Sequence, residues 1–455
     1  MSAAPAPELH DIQGLVARGY GDLATARFVL LGIDDSAAAR SWLGALGPKL
    51  TASDARPQER AVNVALTSSG LAKLGVPSDV LELFALEFAG GMTTPHRRRM
   101  LGDVGPDAPE RWDWGGPARP IDALLLLYAN DEPTLAALHA EQTSALPGGV
   151  RAIRTLGTSD LQGYEPFGFR DGISQPIVEG LSKKGPPAQT VRFGEFVLGY
   201  PNEHGRYTDD LLLERSPELG RNGTYLVFRQ LRQDVGGFWR FLDEAARGPD
   251  GSADADRRTR LAAGLVGRWP SGAPLVLAPE ADDPALGTAN DFAYHRDDPG
   301  GTRCPLGAHI RRANPRDTLD PRPGTEDSLR INRRHRILRR GREYGTPLTV
   351  EDALDSEGAE GAGDERGLHF MCLNASIARQ FELVHFTWLN SPKFVGLYDD
   401  SDPIVGPSQP FGGTFTIQSE ALRQRLTDVP RFVSVRGGAY FFMPGIRATE
   451  HLAGL

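Results

Sequence analysis

Strand-like apolar runs alternate along this chain with segments of helical periodicity. The runs at 26–33 and 224–231 are each followed by a segment, 36–46 and 235–246, in which apolar residues recur at three- and four-residue steps. That spacing is typical of a helix that covers one face of a sheet. The two halves of the chain therefore repeat the same strand–helix pattern.

Five further strands are predicted, and helical segments are interleaved with them. They lie at 61–67, 123–129, 150–156, 369–375 and 439–443. Strands that helices cover on one face favour an α+β sandwich, here built twice. Periodicity alone leaves a parallel sheet open as an alternative to an antiparallel one.

The length of the chain also predicts two domains. Its 455 residues exceed what one hydrophobic core usually serves. The segment 183–188, charged and then rich in Gly and Pro, is the best linker candidate. We therefore expect an N-terminal domain of residues 1–190 and a C-terminal domain of residues 191–455.

Composition narrows the range of partners and compartments. A formal charge of −9 argues against nonspecific binding to nucleic acid or to anionic membranes, and no apolar run reaches the length that spans a bilayer. The first residues show neither a basic region nor an apolar core, so no secretory signal is recognisable. The two cysteines, Cys304 and Cys372, lack metal-type spacing and are expected to be free thiols. These features predict a cytoplasmic enzyme.

Three sequence blocks carry the candidate chemistry. The first, 168–172, reads Gly-Phe-Arg-Asp-Gly and places a charged pair on a loop bounded by glycines, which can approach a flat ligand closely. The second, 304–316, reads Cys-Pro-Leu-Gly-Ala-His-Ile-Arg-Arg-Ala-Asn-Pro-Arg, and the third, 336–341, reads Arg-Ile-Leu-Arg-Arg-Gly. Alone, the first block is typical of an ordinary turn. In this order the three blocks resemble the dye-decolorizing peroxidase family of haem enzymes.

The resemblance extends over most of the chain. It includes Asp-Ile-Gln-Gly at 11–14, Gly-Met at 91–92 and Gly-Gly-Ala-Tyr-Phe-Phe at 437–442. It implies two ferredoxin-like domains with antiparallel sheets, of the dimeric α/β-barrel type, with haem held mainly by the C-terminal domain. Late insertions and the lack of a recognisable signal fit the longer cytoplasmic, bacterial branch of the family.

The implied function is that of a haem b peroxidase with one haem per chain. Such an enzyme reduces hydrogen peroxide and oxidises dyes, phenolic compounds and, as a further hypothesis, manganese(II). Two alternatives stay open: a haem-handling protein with incidental peroxidase activity, and a regulatory module that binds a small molecule and has no redox role. The sequence is compatible with a monomer and with a homo-oligomer.

The resemblance makes His309 the axial ligand of the haem iron. A neutral imidazole nitrogen is a common proximal ligand, and its other ring N–H usually donates to a carboxylate or a carbonyl. Asp402, which directly precedes a Pro-Ile pair, fits that partner best, with Asp399 and Asp400 as alternatives. His335 is the nearest competitor of His309, but it lies in a run of arginines without a comparable context.

Asp171 and Arg339 are the expected catalytic pair. A carboxylate can carry a proton from one oxygen of hydrogen peroxide to the other, and a guanidinium can stabilise the negative charge that develops as the O–O bond breaks. Gly172 is expected to let the loop backbone approach the haem. The structural alternative is a buried salt bridge of Asp171 with Arg170 or Arg339 that has no catalytic role.

Further cofactor contacts follow from the same resemblance, each with a plain structural alternative. Arg311, Asn314 and Arg316 are candidates to bind the two haem propionates, and each is equally compatible with a surface position. Leu368 and Phe370 alternate along a predicted strand and therefore share a face. Both are expected to narrow the haem pocket, with plain core packing as the alternative.

Two aromatic residues are candidates for electron transfer. A buried haem cannot touch a bulky dye, so electrons from such a substrate must pass through oxidisable side chains at the surface. Tyr344 and Trp388 fall where the family places residues of this kind. Their structural alternative is the core, where most aromatic side chains are found.

Overall fold

A nine-stranded sheet organises the chain in this computed structural model, which describes residues 5–181, 185–186, 189–355, 365–407 and 412–455. The strands of these ranges are β1 (Thr25–Ile33), β2 (Arg60–Leu66), β3 (Ala123–Ala129), β4 (Val150–Gly157), β5 (Ile177–Val178), β6 (Thr190–Val191), β7 (Thr224–Gln233), β8 (Leu338–Arg339), β9 (Arg342–Tyr344), β10 (Gly367–Asn374), β11 (Gly413–Ile417), β12 (Gln424–Val429) and β13 (Val433–Met443). Two short pairs, β5–β6 and β11–β12, stand apart from the main sheet.

The helices connect these strands and cover the sheet. They are α1 (Ser36–Leu46), α2 (Ser68–Leu74), α3 (Ser78–Leu81), α4 (Leu86–Gly90), α5 (Pro95–Met100), α6 (Glu132–Ser144), α7 (Asp210–Arg215), α8 (Pro217–Gly220), α9 (Val235–Ala246), α10 (Ala255–Val266), α11 (Tyr294–Asp297), α12 (His309–Ala313), α13 (Glu326–Arg333), α14 (Val350–Asp355) and α15 (Ile446–Ala453), with π-helical turns at Ala378–Glu382 and Val384–Leu389. None of the described helices is long and apolar enough to cross a membrane.

The strand order shows the same unit twice. The main sheet runs β4-β1-β3-β2-β13-β7-β10-β8, with β9 also pairing with β10, and all of these pairs are antiparallel. Each half places its first strand between its last and its third, which is the ferredoxin-like order. The halves join where Leu66 pairs with Phe442. This confirms the predicted α+β fold with antiparallel sheets.

The sheet curls so that its two halves pack face to face. Three strands separate β1 from β7 in the order, so a flat sheet would hold these two strands about 19 Å apart. The rings of Phe28 on β1 and Phe228 on β7 are nevertheless only 5.8 Å apart. Tyr128, Met371 and Phe441 belong to the same buried cluster. This inner core gives the double unit a barrel-like form.

The predicted helices form because a capped, amphipathic segment follows each central strand. Asp35 accepts the N–H of Ala38 at 2.7 Å at the start of α1, and Asp234 accepts the N–H of Gly237 at 2.8 Å at the start of α9. Such caps satisfy backbone donors that the first helical turn leaves unpaired. Both helices have the predicted bounds.

The predicted domain boundary falls in a region that the structure describes only in part. Of the linker segment 183–188, residues 183, 184, 187 and 188 lie outside the described residues. The short parallel pair of β5 and β6 flanks this segment, with Ile177 opposite Thr190. The division into residues 1–190 and 191–455 stays a prediction.

Candidate active site

One cavity of about 300 Å³ gathers most of the predicted site residues. Its wall is formed by the loop before β5, by the start of α12, by β8 and β10, and by the segment before β11. Among its lining residues are Asp171, Ile173, Ser174, His309, Asn314, Arg316, Arg339, Leu368, Phe370, Ile404 and Val405. Both halves of the chain therefore contribute to the site.

His309 is the first residue of α12, and its ring reaches the cavity. Its Nδ1 lies 2.9 Å from Oδ2 of Asp402, whose other carboxylate oxygen accepts the N–H groups of Ile404 and Val405 at 2.9 Å. The carboxylate favours the proton on Nδ1, which leaves Nε2 with a free lone pair. Burial lowers the pKa of His309, but the negative charge of Asp402 outweighs burial and raises that pKa overall.

The residues that competed with Asp402 and His309 in the sequence have other partners in the structure. Asp399 pairs with the guanidinium of Arg425 at 3.2 Å. Asp400 accepts a hydrogen bond from the hydroxyl of Thr414 at 2.8 Å. The ring of His335 lies 2.6 Å from a backbone carbonyl and is not among the residues that line the cavity. The structure thus brings Asp402 and His309 together and leaves the competitors elsewhere.

Asp171 and Arg339 form an ion pair in the wall of the same cavity. Nη1 of Arg339 lies 3.0 Å from Oδ1 of Asp171, and Nη2 donates to the carbonyl of Ile173 at 2.7 Å. The side-chain amide of Gln175 binds both backbone groups of Arg339. Its oxygen accepts the N–H at 3.1 Å, and its nitrogen donates to the carbonyl at 3.2 Å. Burial raises the pKa of Asp171, yet the Arg339 charge and the N–H of Gly172 outweigh it and hold that pKa below its ordinary value.

Three further arginines give the cavity a positive wall. Arg268, Arg316 and Arg336 line it, and within the described residues their guanidinium groups donate to neutral acceptors, mostly backbone carbonyls. Burial first, and then the neighbouring guanidinium charges, lower the pKa of Arg336 to about 9. None of the three has an ion pair with a described carboxylate, so the wall is suited to an anionic ligand.

The whole chain is similar to characterised peroxidases. The dye-decolorizing peroxidase of Mycena epipterygia is 32% identical over 469 residues, covering 94% of this chain and 83% of the relative. The chain belongs to the dye-decolorizing peroxidase family. Peroxidase 2 of Mycetinis scorodonius is 31% identical, covering 97% of this chain and 87% of the relative. The multifunctional dye peroxidase of an Amycolatopsis species is 29% identical, with 94% and 89% covered.

Solved structures of dye-decolorizing peroxidases share the fold. A fungal enzyme from Auricularia auricula-judae superposes with a TM-score of 0.83 at 26% identity, covering 99% of this chain and 100% of that one. A dye-decolorizing peroxidase in complex with 2,6-dimethoxyphenol gives a TM-score of 0.82 at 27% identity, with 98% and 100% covered. The chain matches no family model. Most of these relatives are fungal, so the bacterial branch stays a prediction.

Peroxidases of this family are haem enzymes, and the residues of the cavity fit a haem. Nε2 of His309 is free to act as an axial ligand. Within the described residues Arg316 and Arg336 have no ion pair, so their charges are suited to the two propionates of a haem. Leu368 and Phe370 share one face of β10 and line the cavity, where their side chains are suited to apolar contact with a porphyrin.

Two residues predicted to touch the cofactor are not among those that line the cavity. Arg311 is 1% exposed, pairs with Asp298 at 2.9 Å and donates to the carbonyl of Cys304 at 2.8 Å. Two helical positions rotate a side chain by about 200°, which turns Arg311 away from the side that His309 faces. Gly172 adopts a φ of +76° and shapes the loop, but it is not among the lining residues. Arg311 is therefore corrected to a structural residue.

The two aromatic candidates for surface electron transfer are both buried. Tyr344 is 8% exposed and its ring stacks on His369 at 4.5 Å, because β9 turns it towards β10. Trp388 is 5% exposed and packs edge-on against His335 at 5.4 Å on the inner side of a π-helical turn. The expectation that they lie at the surface is wrong.

One residue that the sequence did not suggest holds the loop that carries Asp171 in place. Glu165 accepts the N–H groups of Phe167 and Phe169 at 3.0 and 2.9 Å, and the amide N–H of Gln233 at 2.7 Å. These bonds tie the loop that carries Asp171 to the end of β7. Burial raises the pKa of Glu165 to about 7, and the nearby charge of Asp171 adds to that shift.

The raised pKa of Glu165 makes a testable contribution to stability. Because its folded pKa of about 7 exceeds the ordinary 4.5, its contribution is fully present below the unfolded pKa and is lost as the pH rises through 7. Glu165→Gln cannot ionise, so this variant should gain stability relative to the wild type between about pH 5 and about pH 8. Chemical denaturation of both proteins at both pH values measures the difference in their free energies of unfolding. The control is Glu214→Gln at an exposed position, and a pH-independent difference for Glu165→Gln would contradict the assignment.

Proposed function

We propose that this member of the family is a haem b peroxidase that binds one haem per chain through His309. It reduces hydrogen peroxide and oxidises dyes and phenolic compounds. The observation that carries the proposal is that the ion pair of Asp171 and Arg339 lines the same cavity as His309, whose ring Asp402 holds from behind. Neither partner of that ion pair is needed merely to hold haem, which favours catalysis over haem handling.

The side chains of the cavity supply proton transfer and charge stabilisation. A bound haem supplies the redox chemistry, since it takes oxidising equivalents from hydrogen peroxide and passes them to reducing substrates. Asp171, ionised at neutral pH, takes a proton from one peroxide oxygen and returns it to the leaving oxygen. Arg339 stabilises the negative charge that develops as the O–O bond breaks. Asp402 orients His309 and makes Nε2 a more basic ligand.

The proposed reducing substrates rest on the relatives. One of the similar structures holds a phenol, 2,6-dimethoxyphenol, and most of the similar enzymes are named for dye oxidation. Oxidation of manganese(II), a cytoplasmic location, the absence of nucleic-acid and membrane partners, and the choice between monomer and homo-oligomer stay predictions.

The first test concerns the axial ligand. His309→Ala removes the nitrogen proposed to bind the iron, so the purified variant should lose most of its haem and show an altered Soret band. Asp402→Asn should weaken retention or activity by about 10- to 100-fold, because it removes the acceptor that orients the ring. His335→Ala is the matched control and should retain haem. An unchanged Soret band in His309→Ala would exclude the assignment.

The second test concerns the guanidinium beside Asp171. Arg339→Leu should slow the reaction of hydrogen peroxide with the haem-loaded protein by about two to three decades, the usual cost of one preorganised electrostatic partner. Stopped-flow mixing measures that bimolecular rate. Arg339→Lys keeps the positive charge but loses the planar guanidinium with its several N–H donors, so an intermediate rate is expected. A wild-type rate in Arg339→Leu would assign Arg339 a structural role.

The third test uses the pH dependence of the same rate. The folded pKa of Asp171 lies below its ordinary value because Arg339 and the N–H of Gly172 outweigh burial. The working base is therefore ionised above that pKa, and the rate should fall only as acid protonates it. Arg339→Leu should move this acid limb to higher pH, since it removes the stabilising charge. Asp171→Asn should abolish this loss of rate at low pH. If Asp171→Asn keeps both the wild-type rate and its decrease in acid, Asp171 is excluded as the base.

A further inference from the structure

One asparagine behind the positive wall of the cavity is shared by the groups that form this wall. Oδ1 of Asn290 accepts the hydroxyl of Ser174 at 2.6 Å and a hydrogen bond from Nη2 of Arg316, and Nη2 of Arg268 lies 3.5 Å away. The carbonyl of Asn290 accepts Nη1 of Arg316 at 3.0 Å. Ser174, Arg268 and Arg316 line the cavity, whereas Asn290 is not among its lining residues. Asn290 therefore contacts the wall from behind.

The side chain of Asn290 is itself held by Gln189. Nδ2 of Asn290 donates to Oε1 of Gln189, and Nε2 of Gln189 donates to the carbonyl of Asn290, both at 3.0 Å. These partners determine the orientation of the amide, because its nitrogen faces an acceptor and its oxygen faces hydroxyl and guanidinium donors. Asn290 thus presents a fixed, neutral acceptor to the arginines.

A nearby aromatic ring holds the same two arginines without a counter-charge. The guanidinium of Arg316 lies 3.8 Å from the ring centroid of Phe292, and that of Arg268 lies 5.7 Å from it. Phe292 is buried, and its carbonyl accepts Nη1 of Arg316 at 2.8 Å. An aromatic face attracts a cation but does not neutralise it. The contacts of Asn290 and Phe292 with both arginines therefore add no negative charge to the wall.

Carboxylates are close in the sequence, but they do not pair with these arginines. Asp291 directly follows Asn290 and is exposed. Asp317 directly follows Arg316 and accepts two backbone N–H groups at 2.9 and 3.2 Å. Within the described ranges neither carboxylate forms an ion pair with a guanidinium of the wall, and burial lowers the pKa of Arg316 despite their charges. The positive charge is therefore left uncompensated in the protein.

We propose that Asn290 is a positioning residue that orients the arginines of the wall and, because it is neutral, leaves their charge for the two carboxylates of the haem. This inference rests on the proposed function. An aspartate of nearly the same shape would offer the same acceptor together with a negative charge, and it would compete with the propionates for the guanidinium groups. Asn290 acts through Arg268 and Arg316.

The variant Asn290→Asp separates this role from a purely structural one. Without haem, the full-length variant should unfold at a higher urea concentration than the wild type, because the aspartate offsets buried positive charge. Its Kd for haem, measured by titration of the Soret band, should nevertheless rise by at least about tenfold, because the guanidinium charges are already paired. Asn290→Ala should weaken haem binding and also lower the urea midpoint. Only the aspartate is expected to stabilise the protein while it weakens haem binding.

Haem dimethyl ester, in which both propionates are uncharged, tests the same claim from the side of the ligand. Asn290→Asp should bind the ester as tightly as the wild type does, because no carboxylate competes with the aspartate. Gln189→Ala removes the two hydrogen bonds to Asn290 without adding charge, so it should not raise the urea midpoint. Asn130→Asp adds the same charge at an exposed position and should leave the Kd for haem unchanged.

Three results would overturn the proposal. An unchanged Kd for haem in Asn290→Asp would show that the neutrality of this residue is irrelevant to binding. Equal weakening of haem and of its dimethyl ester would assign Asn290 a structural role. An equal effect in Asn130→Asp would assign the change to net charge. Wild-type protein that binds haem no better than His309→Ala would instead refute the proposed function, so the two failures are distinguishable.

Discussion

Burial of positive charge beside the cavity is the constraint on which the rest of the site depends. Arg268, Arg316 and Arg336 donate to neutral acceptors, and burial lowers the pKa of each of them. Charges taken out of water are unfavourable unless a counter-charge accompanies them. A ligand with two carboxylates would offset that cost, so a haem bound at this wall would also stabilise the folded chain. On the proposed assignment, these arginines would therefore couple the binding of the cofactor to folding.

The position of Arg339 explains why the pKa values of two neighbouring carboxyl groups shift in opposite directions. Asp171 lies against Arg339, and its pKa falls below the ordinary value. Glu165, on the same loop, has three neutral N–H donors and no guanidinium, and burial raises its pKa to about 7. Divergent pKa values of this kind fit the proposed roles of Asp171 as a base and Glu165 as a structural carboxyl group. Since Arg339 comes from β8, Asp171 acquires its low pKa only when both halves of the chain have folded together.

Local patterns in the sequence were sufficient for the elements but not for their assembly. The bounds of α1 and α9 were predictable because a capping aspartate precedes an apolar period in each. The contact of His309 with Asp402, 93 residues away, came from resemblance to a family, since no periodicity links the two. Arg311 was misassigned because its neighbours in sequence do not reveal which way a short helix turns it. Arg268 and Glu165 carried no local signal, as their roles depend on residues that only the fold brings near.

The burial of Tyr344 and Trp388 changes how electrons from a bulky donor must travel. A haem bound in the cavity of about 300 Å³ would leave no room there for a large dye, so such a donor would have to act from the surface. Trp388 cannot be the point of contact, because His335 and the surrounding turn cover it. His335 in turn lies 2.6 Å from the carbonyl of Arg379. If Trp388 takes part in electron transfer, an electron from the surface on this side would have to cross the ring of His335 to reach it.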